Sequence, residues 1–151
     1  MEIPKGFRQI TTNSNGTVLI KNQEGNEYLL VPGDGENEGF WISAHEISKH
    51  IHSKTHMISP GSLPTDKPWV FVDLNAARDA ARKEGGRLPT ESEYERYYKL
   101  CKRYHLAKEQ YFLWTETKEG KNYIARKGKE REVCYATRQT NHLSFRIVLE
   151  A

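Results

Sequence analysis

The sequence predicts an α+β domain, and the order of its elements along 151 residues carries that prediction. Short apolar runs separated by turn residues fill the first and last thirds of the chain. Between them, two stretches repeat apolar residues at helical spacing, each behind a capping residue. We expect a single domain, residues 1–151, made of an N-terminal hairpin region, residues 1–35, and a core, residues 36–151.

The composition limits the classes of molecule that the protein is expected to bind. A net charge of +3 gives no strong case for nucleic acid or a membrane surface. The sequence has no apolar run of about 18 residues, and the N-terminus has no basic-then-apolar leader, so we expect neither a transmembrane segment nor a signal peptide. The two cysteines, Cys101 and Cys134, form no CxxC pair, and reduced thiols in an intracellular protein are the simplest interpretation.

The first third of the chain indicates strands. Thr17–Ile20 and Tyr28–Val31 flank the polar stretch 22–26, which contains Gly25, and this pattern predicts a hairpin. The segments that follow are predicted to be a strand (39–43), a short helix (44–52) and a long surface loop (53–67).

The first long helix is predicted to begin after Asp73, whose carboxylate can accept hydrogen bonds from the first-turn amides. Gly85 or Gly86 ends it in a left-handed conformation. One apolar stripe runs along this helix: Leu74, Ala77, Ala80 and Ala81.

A second helix is predicted to begin at the capping box formed by Thr90 and Glu93, behind an extended Pro89. The glycine pair before it permits a close crossing of the two chain segments. One face of this helix is aromatic and more typical of a core than of a ligand stack: Tyr94, Tyr97, Tyr98, Cys101 and Tyr104.

The last third returns to strands. In the final stretch, Phe145, Ile147 and Leu149 alternate with Arg146, Val148 and Glu150, which is a partial strand pattern. The predicted runs are 111–117, 122–128, 131–137 and 144–150.

The most specific motif in the chain is Arg-Leu-Pro-Thr-Glu at residues 87–91, followed by Glu93 and Glu95. A Pro-Trp-Val-Phe-Val-Asp run and the alanine-striped helix precede it. This arrangement resembles the signature of the formylglycine-generating enzyme family, also called sulfatase-modifying factor domains, which usually has tryptophan where Tyr94 stands. Pieces similar to the family follow the same order at 39–48, 112–117 and 144–149, so the resemblance covers residues 6–149.

The resemblance implies a C-type-lectin-like fold with two helices, small mixed or antiparallel sheets and long irregular loops on one face. It also implies that the first and last strands pair, which matches the runs 6–10 and 144–149. The motif is expected to have a structural role: Arg87, Leu88, Pro89, Thr90, Glu91 and Glu93.

The oxidase of this family binds copper(I) through paired cysteines near its C-terminus. The matching region here holds Cys134 alone, because Cys101 belongs to the tyrosine-rich helix. We therefore expect no oxidase activity, no catalytic residues, no metal site and no cofactor. The fold admits a structural calcium ion, but no residue pattern indicates one.

Two polar clusters have a catalytic and a structural interpretation. Glu91, Glu93 and Glu95 are candidates for acid–base chemistry, but the helix cap, the helix dipole and arginine partners account for them better. A second cluster lacks the spacing of a zinc protease and is expected to be solvated: His45, His50, His52 and His56.

Residues 118–142 are rich in basic, aromatic and small polar side chains, and the resemblance places them on the loop face that binds partners. The predicted contact patch is Lys118, Lys121, Tyr123, Arg126, Lys129, Arg131, Tyr135 and Arg138.

The function expected from these residues and the resemblance is a non-catalytic binding or structural module. Short copies of the family's domain suggest a phage virion protein with a decoration, tail or receptor-binding role. The alternatives are a diversified ligand-binding protein of a retroelement system and a formylglycine-generating-type oxidase. The expected partner is a protein or a cell surface, with self-assembly or virion assembly left open. The expected location is the virion or the cytoplasm.

Overall fold

A computed structural model of the chain describes residues 3–12, 17–23, 25–44, 72–106, 109–140 and 142–150. These residues form an α+β domain with two helices and two sheets, which confirms the predicted class. The predicted loop 53–67 and nearly all of the predicted helix 44–52 lie outside the described residues. The elements are β1 (Phe7–Thr12), β2 (Val18–Asn22), β3 (Glu27–Val31), β4 (Phe40–Ser43), α1 (Leu74–Lys83), α2 (Glu91–Arg103), β5 (Phe112–Glu119), β6 (Asn122–Lys127), β7 (Glu130–Cys134), β8 (Leu143–Ser144) and β9 (Val148–Glu150).

The larger sheet is antiparallel throughout, with five strands in the order β1-β2-β3-β4-β9. The predicted hairpin is confirmed as β2 and β3, and Gly25 in the loop between them has a positive φ of 93°. The smaller sheet has four strands in the order β7-β6-β5-β8, and β8 runs parallel to β5.

The expected pairing of the first and last strands of the chain is wrong. Strand β9 pairs with β4, placing Leu149 opposite Trp41, whereas β1 pairs with β2 at the far edge of the same sheet. The reason is burial, because every residue of β4 is buried and its neighbours must supply apolar side chains. Strand β1, with the sequence FRQITT, is too polar for that place and suits an edge.

Both helices begin as predicted. The Asp73 Oδ1 accepts a hydrogen bond from the Ala76 amide at 2.8 Å, and Thr90 and Glu93 form a reciprocal capping box at the start of α2. Gly85, with φ of 83°, follows the end of α1 in the left-handed conformation. The stripe of α1 is entirely buried, at Leu74, Ala77, Ala80 and Ala81. Within the described part of the chain, no helix has the length and apolar character that crossing a bilayer demands.

The core consists of two apolar clusters on opposite faces of the sheets, one contacted by α1 and the other by α2. Trp41 and Trp114 belong to the α1 cluster, and the Trp114 indole donates a hydrogen bond to the Val72 carbonyl at 2.8 Å. Tyr94 and Tyr97 belong to the α2 cluster. Because both faces of the central strands are covered, neighbouring residues along one strand enter different clusters.

This double coverage buries both sets of alternating residues in the last stretch of the chain up to Leu149. Arg146 and Val148 are as buried as Phe145 and Ile147, because the segment passes between the two clusters. The Arg146 guanidinium is satisfied inside the protein by an acidic partner and a backbone carbonyl.

The chain crosses β9 closely between the two helices. Arg87 forms an isolated bridge with Val148, with N–O distances of 3.0 and 2.7 Å. A Cβ on Gly86 would lie 2.4 Å from the Val148 carbonyl oxygen, so only glycine fits there. The predicted role of the glycine pair is confirmed.

We expect Gly86→Ala to lower the free energy of unfolding by more than about 2 kcal/mol, because the added methyl group forces β9 away. Gly85→Ala is the matched control, since a Cβ there meets no atom within 4 Å. Its loss of stability comes only from the positive φ, which costs a residue with a Cβ about 1–2 kcal/mol. Urea denaturation of both variants checks this ranking. An equal or larger loss for Gly85→Ala would contradict it.

Candidate functional site

The Arg-Leu-Pro-Thr-Glu motif forms a structural junction. Arg87 makes a bidentate pair with Glu93, with both N–O distances at 2.7 Å, and its Nε donates to Glu150 at 2.7 Å. The same Glu93 carboxylate accepts from the Thr90 amide at 2.9 Å. These contacts tie the crossing segment to the start of α2 and to β9.

The other two motif carboxylates bind arginines of the smaller sheet. Arg126 donates to Glu95 at 2.9 Å and to Glu91 at 3.3 Å, and Arg131 donates to Glu91 at 2.9 Å. Glu91 also lies in the first turn of α2, where a negative charge stabilises the helix dipole. These pairs hold the N-terminal half of α2 against β6 and β7.

The predicted contact patch does not form one surface. Tyr123 lies on the α1 side of β6, where Arg78 donates to its hydroxyl at 3.2 Å and Lys118 lies over its ring. Arg126 and Arg131 lie on the α2 side, where they bind the helix. Side chains alternate between the two faces of a strand, so residues 123 and 126 point to opposite faces. The division of the patch between two faces was therefore predictable from the sequence.

Several patch residues are also too buried or too constrained to meet a partner. Tyr123 is 8% exposed and Arg126 is 7% exposed. Arg138 donates to Glu132 at 2.9 Å and to the Cys134 Sγ at 3.3 Å. The exposed members are Lys118, Lys121, Lys129, Arg131 and Tyr135.

A groove of about 560 Å³ lies between α2 and the turn that joins β6 to β7. The helix contributes half-buried aromatic and thiol side chains, and the turn contributes its backbone and two lysines. The lining residues within the described ranges are Tyr94, Tyr97, Tyr98, Cys101, Lys102, His105, Leu106, Glu109, Lys127, Gly128, Lys129 and Glu130.

Hydrogen-bond and ring contacts hold the floor of this groove. Tyr94 accepts a hydrogen bond from the Gly128 amide at 2.9 Å, and the Arg126 guanidinium lies 5.3 Å from the centre of its ring. The Tyr97 ring packs edge-to-face on Tyr94 with centroids 5.8 Å apart. Burial is the main cause that raises the pKa of both tyrosines above the ordinary value, so both remain neutral phenols.

A buried ion pair lies at one end of the groove. The Arg146 guanidinium donates to both Glu109 carboxylate oxygens, at 2.8 and 3.2 Å, and to the Ser43 carbonyl at 2.7 Å. Both side chains of the pair are less than 10% exposed, at 7% and 6%. The charge of Glu109 is therefore neutralised within the fold.

The tyrosine face of α2 divides into two parts. Tyr94 and Tyr97 are buried, as predicted for a core face, whereas Tyr98 and Cys101 are half-buried and line the groove. This groove was not predicted from the sequence. The available indication was the length of the aromatic stripe, which extends to Tyr104 and exceeds what a short sheet can cover.

The two cysteines lie in different parts of the structure. Cys134 is buried in the α1 cluster, and Cys101 lines the groove on α2. Burial is the main cause that raises the pKa of both thiols, although Arg138 opposes it at Cys134. Over the described ranges, no three His, Cys, Asp or Glu side chains converge to hold a metal ion. The histidines at 45, 50, 52 and 56 lie outside those ranges.

Neither the models of known protein families nor the curated proteins give a match to this sequence. The resemblance to the formylglycine-generating enzyme family therefore stays a prediction from the sequence motifs.

We expect Glu93→Gln to lower the free energy of unfolding at neutral pH by about 1 kcal/mol, because a neutral amide cannot keep the bidentate, charge-assisted pair with Arg87. Burial alone raises the pKa of Glu93, but the Arg87 and Thr90 hydrogen bonds outweigh it, and the folded-state pKa lies below the ordinary value. The carboxylate therefore stabilises the fold above a pH of about 4.3. This contribution is lost as pH falls through the lower folded-state pKa.

Denaturation at neutral pH and near pH 3 measures this difference. The gap between wild type and Glu93→Gln should shrink in acid, while the exposed Glu130→Gln variant should show little gap at either pH. A gap of constant size would contradict the assigned role of the Glu93 carboxylate.

Proposed function

We propose that the chain is a non-catalytic binding module and that its binding site is the groove between α2 and the β6–β7 turn. The groove itself is the observation that carries this proposal. It has the volume of a ligand site, about 560 Å³, and its lining combines aromatic and aliphatic side chains with a few charged groups. Its floor is held by the part-buried hydrogen bond between Gly128 and Tyr94 and by ring contacts, which lowers the entropic cost of binding.

The environment of the candidate catalytic groups supports a function other than catalysis. Each of the carboxylates Glu91, Glu93 and Glu95 binds an arginine, and the three together hold α2 in place. Cys134 is 1% exposed and its raised pKa favours the unreactive thiol. These placements disfavour an oxidase or a cysteine enzyme.

We assign the fold, as part of the same proposal, to the C-type-lectin-like class in its formylglycine-generating-enzyme variety. The two helices and the two small sheets, one antiparallel and one mixed, support this assignment, because the resemblance implies that combination of elements. The same resemblance leads us to propose a virion protein of a phage with a decoration, tail or receptor-binding role. Capsid or tail genes next to this gene would support that role, and a purely metabolic neighbourhood would count against it.

A fragment screen by two-dimensional amide NMR tests the groove. We expect bound aromatic fragments to shift the amide signals of Tyr98, Cys101 and Leu106, because these residues line the groove. Tyr98→Ala should weaken the hits at least about tenfold through loss of an aromatic contact. Tyr104→Ala is the matched control, because Tyr104 is also half-buried, lies at the C-cap of α2 and is outside the lining. Hits confined to another surface would refute the proposal.

A copper(I) titration of the reduced protein tests the oxidase alternative. We expect no stoichiometric complex that depends on Cys134, because a single buried thiol offers copper(I) one ligand where the family's oxidase has two. Ultraviolet thiolate-to-copper absorbance is the readout, with Cys134→Ser and Cys101→Ser measured alongside. A one-to-one complex that is lost only in Cys134→Ser would support the oxidase alternative.

A further inference from the structure

We infer that the groove binds an acidic segment of a protein partner, with one apolar or aromatic side chain of that segment seated against the tyrosine wall. This inference rests on the proposed function, since it names the occupant of the same groove. Three properties of the groove carry it: the sign of its charges, their distribution over two walls and the apolar surface between them.

The lining carries an excess of positive charge. Lys102 lies on α2, and Lys127 and Lys129 lie on the β6–β7 turn. Two acidic residues also line the groove, but the charge of Glu109 is neutralised by Arg146, which leaves Glu130 against three lysines. Charges of one sign around an apolar surface select a partner of the opposite sign and speed its association.

Apolar surface lies between these charges. Tyr98, Cys101 and Leu106 are half-buried and contribute to the groove wall. A Cβ on Gly128 would lie 3.5 Å from the Tyr98 ring, so the backbone of the turn passes near the Tyr98 part of the helix wall. A single aromatic or aliphatic side chain placed here would be the buried anchor of the interface.

The distribution of the lysines favours a segment of chain over one small anion. Because they lie on two walls, a peptide with several carboxylates can reach both, whereas a single carboxylate or phosphate reaches one. The Gly128 amide is occupied by Tyr94, so it is not available to a phosphate group. The groove also follows the C-terminal part of α2, whereas phosphate sites use helix N-termini.

Selection from a displayed library of random nonapeptides on the immobilised full chain tests this inference. We expect wild type to enrich peptides that combine Asp and Glu with an aromatic residue. The Lys127→Glu/Lys129→Glu double variant should enrich peptides with Lys and Arg instead. In moderate salt, it should bind the peptide most enriched on wild type about tenfold more weakly than wild type does. Lys5→Glu/Lys121→Glu has the same change of net charge at exposed positions outside the lining, and should behave as wild type.

The outcomes separate this inference from the proposed function. Enrichment of uncharged or basic peptides whose binding is lost in Tyr98→Ala would overturn the acidic partner and keep the groove as a binding site. Acidic peptides that bind all the variants equally would overturn it as well, because their site would lie elsewhere. If no peptide is enriched while 4-hydroxyphenylacetate shifts the Tyr98 amide signal, the occupant is a small anion. If neither probe acts on the groove, both proposals fail.

Discussion

The close crossing of the chain over β9 at Gly86 and Arg87 is the constraint on which the rest of the structure depends. It joins the end of α1, the start of α2 and the last strand through two backbone hydrogen bonds and the Arg87 ion pairs. On either side of this crossing, the two helices contact opposite faces of the sheets. Two separate clusters follow, one for each helix, and the strands between them are buried on both faces.

The groove is a product of the same arrangement. The first turns of α2 are held to the smaller sheet by Arg126 and Arg131, and the first tyrosines of its aromatic face enter the core. Further along the helix, Tyr98 and Cys101 pack against the same cluster but remain only half-buried. The β6–β7 turn forms the second wall opposite them. Binding surface and core are thus successive parts of one helix face.

The local features were predictable from the sequence, and the long-range ones were not. The capping box at Thr90, the stripe of α1 and the β2–β3 hairpin depend on residues within a few positions of one another. The choice of β4 as the partner of β9 depends on burial set by the whole sheet. The burial of Arg146 depends on Glu109, 37 positions away. The groove could not be predicted, because it depends on how α2 lies against the distant β6–β7 turn.

The β6–β7 turn is attached to α2 through main-chain atoms. The Gly128 amide donates to Tyr94, and the Gly128 carbonyl accepts from Arg126 at 2.9 Å. Substitutions at Lys127 and Lys129 leave both of these attachments in place. Mutation can therefore alter the chemical preference of the turn at small thermodynamic cost, and the scaffold can acquire new specificities while its fold is maintained.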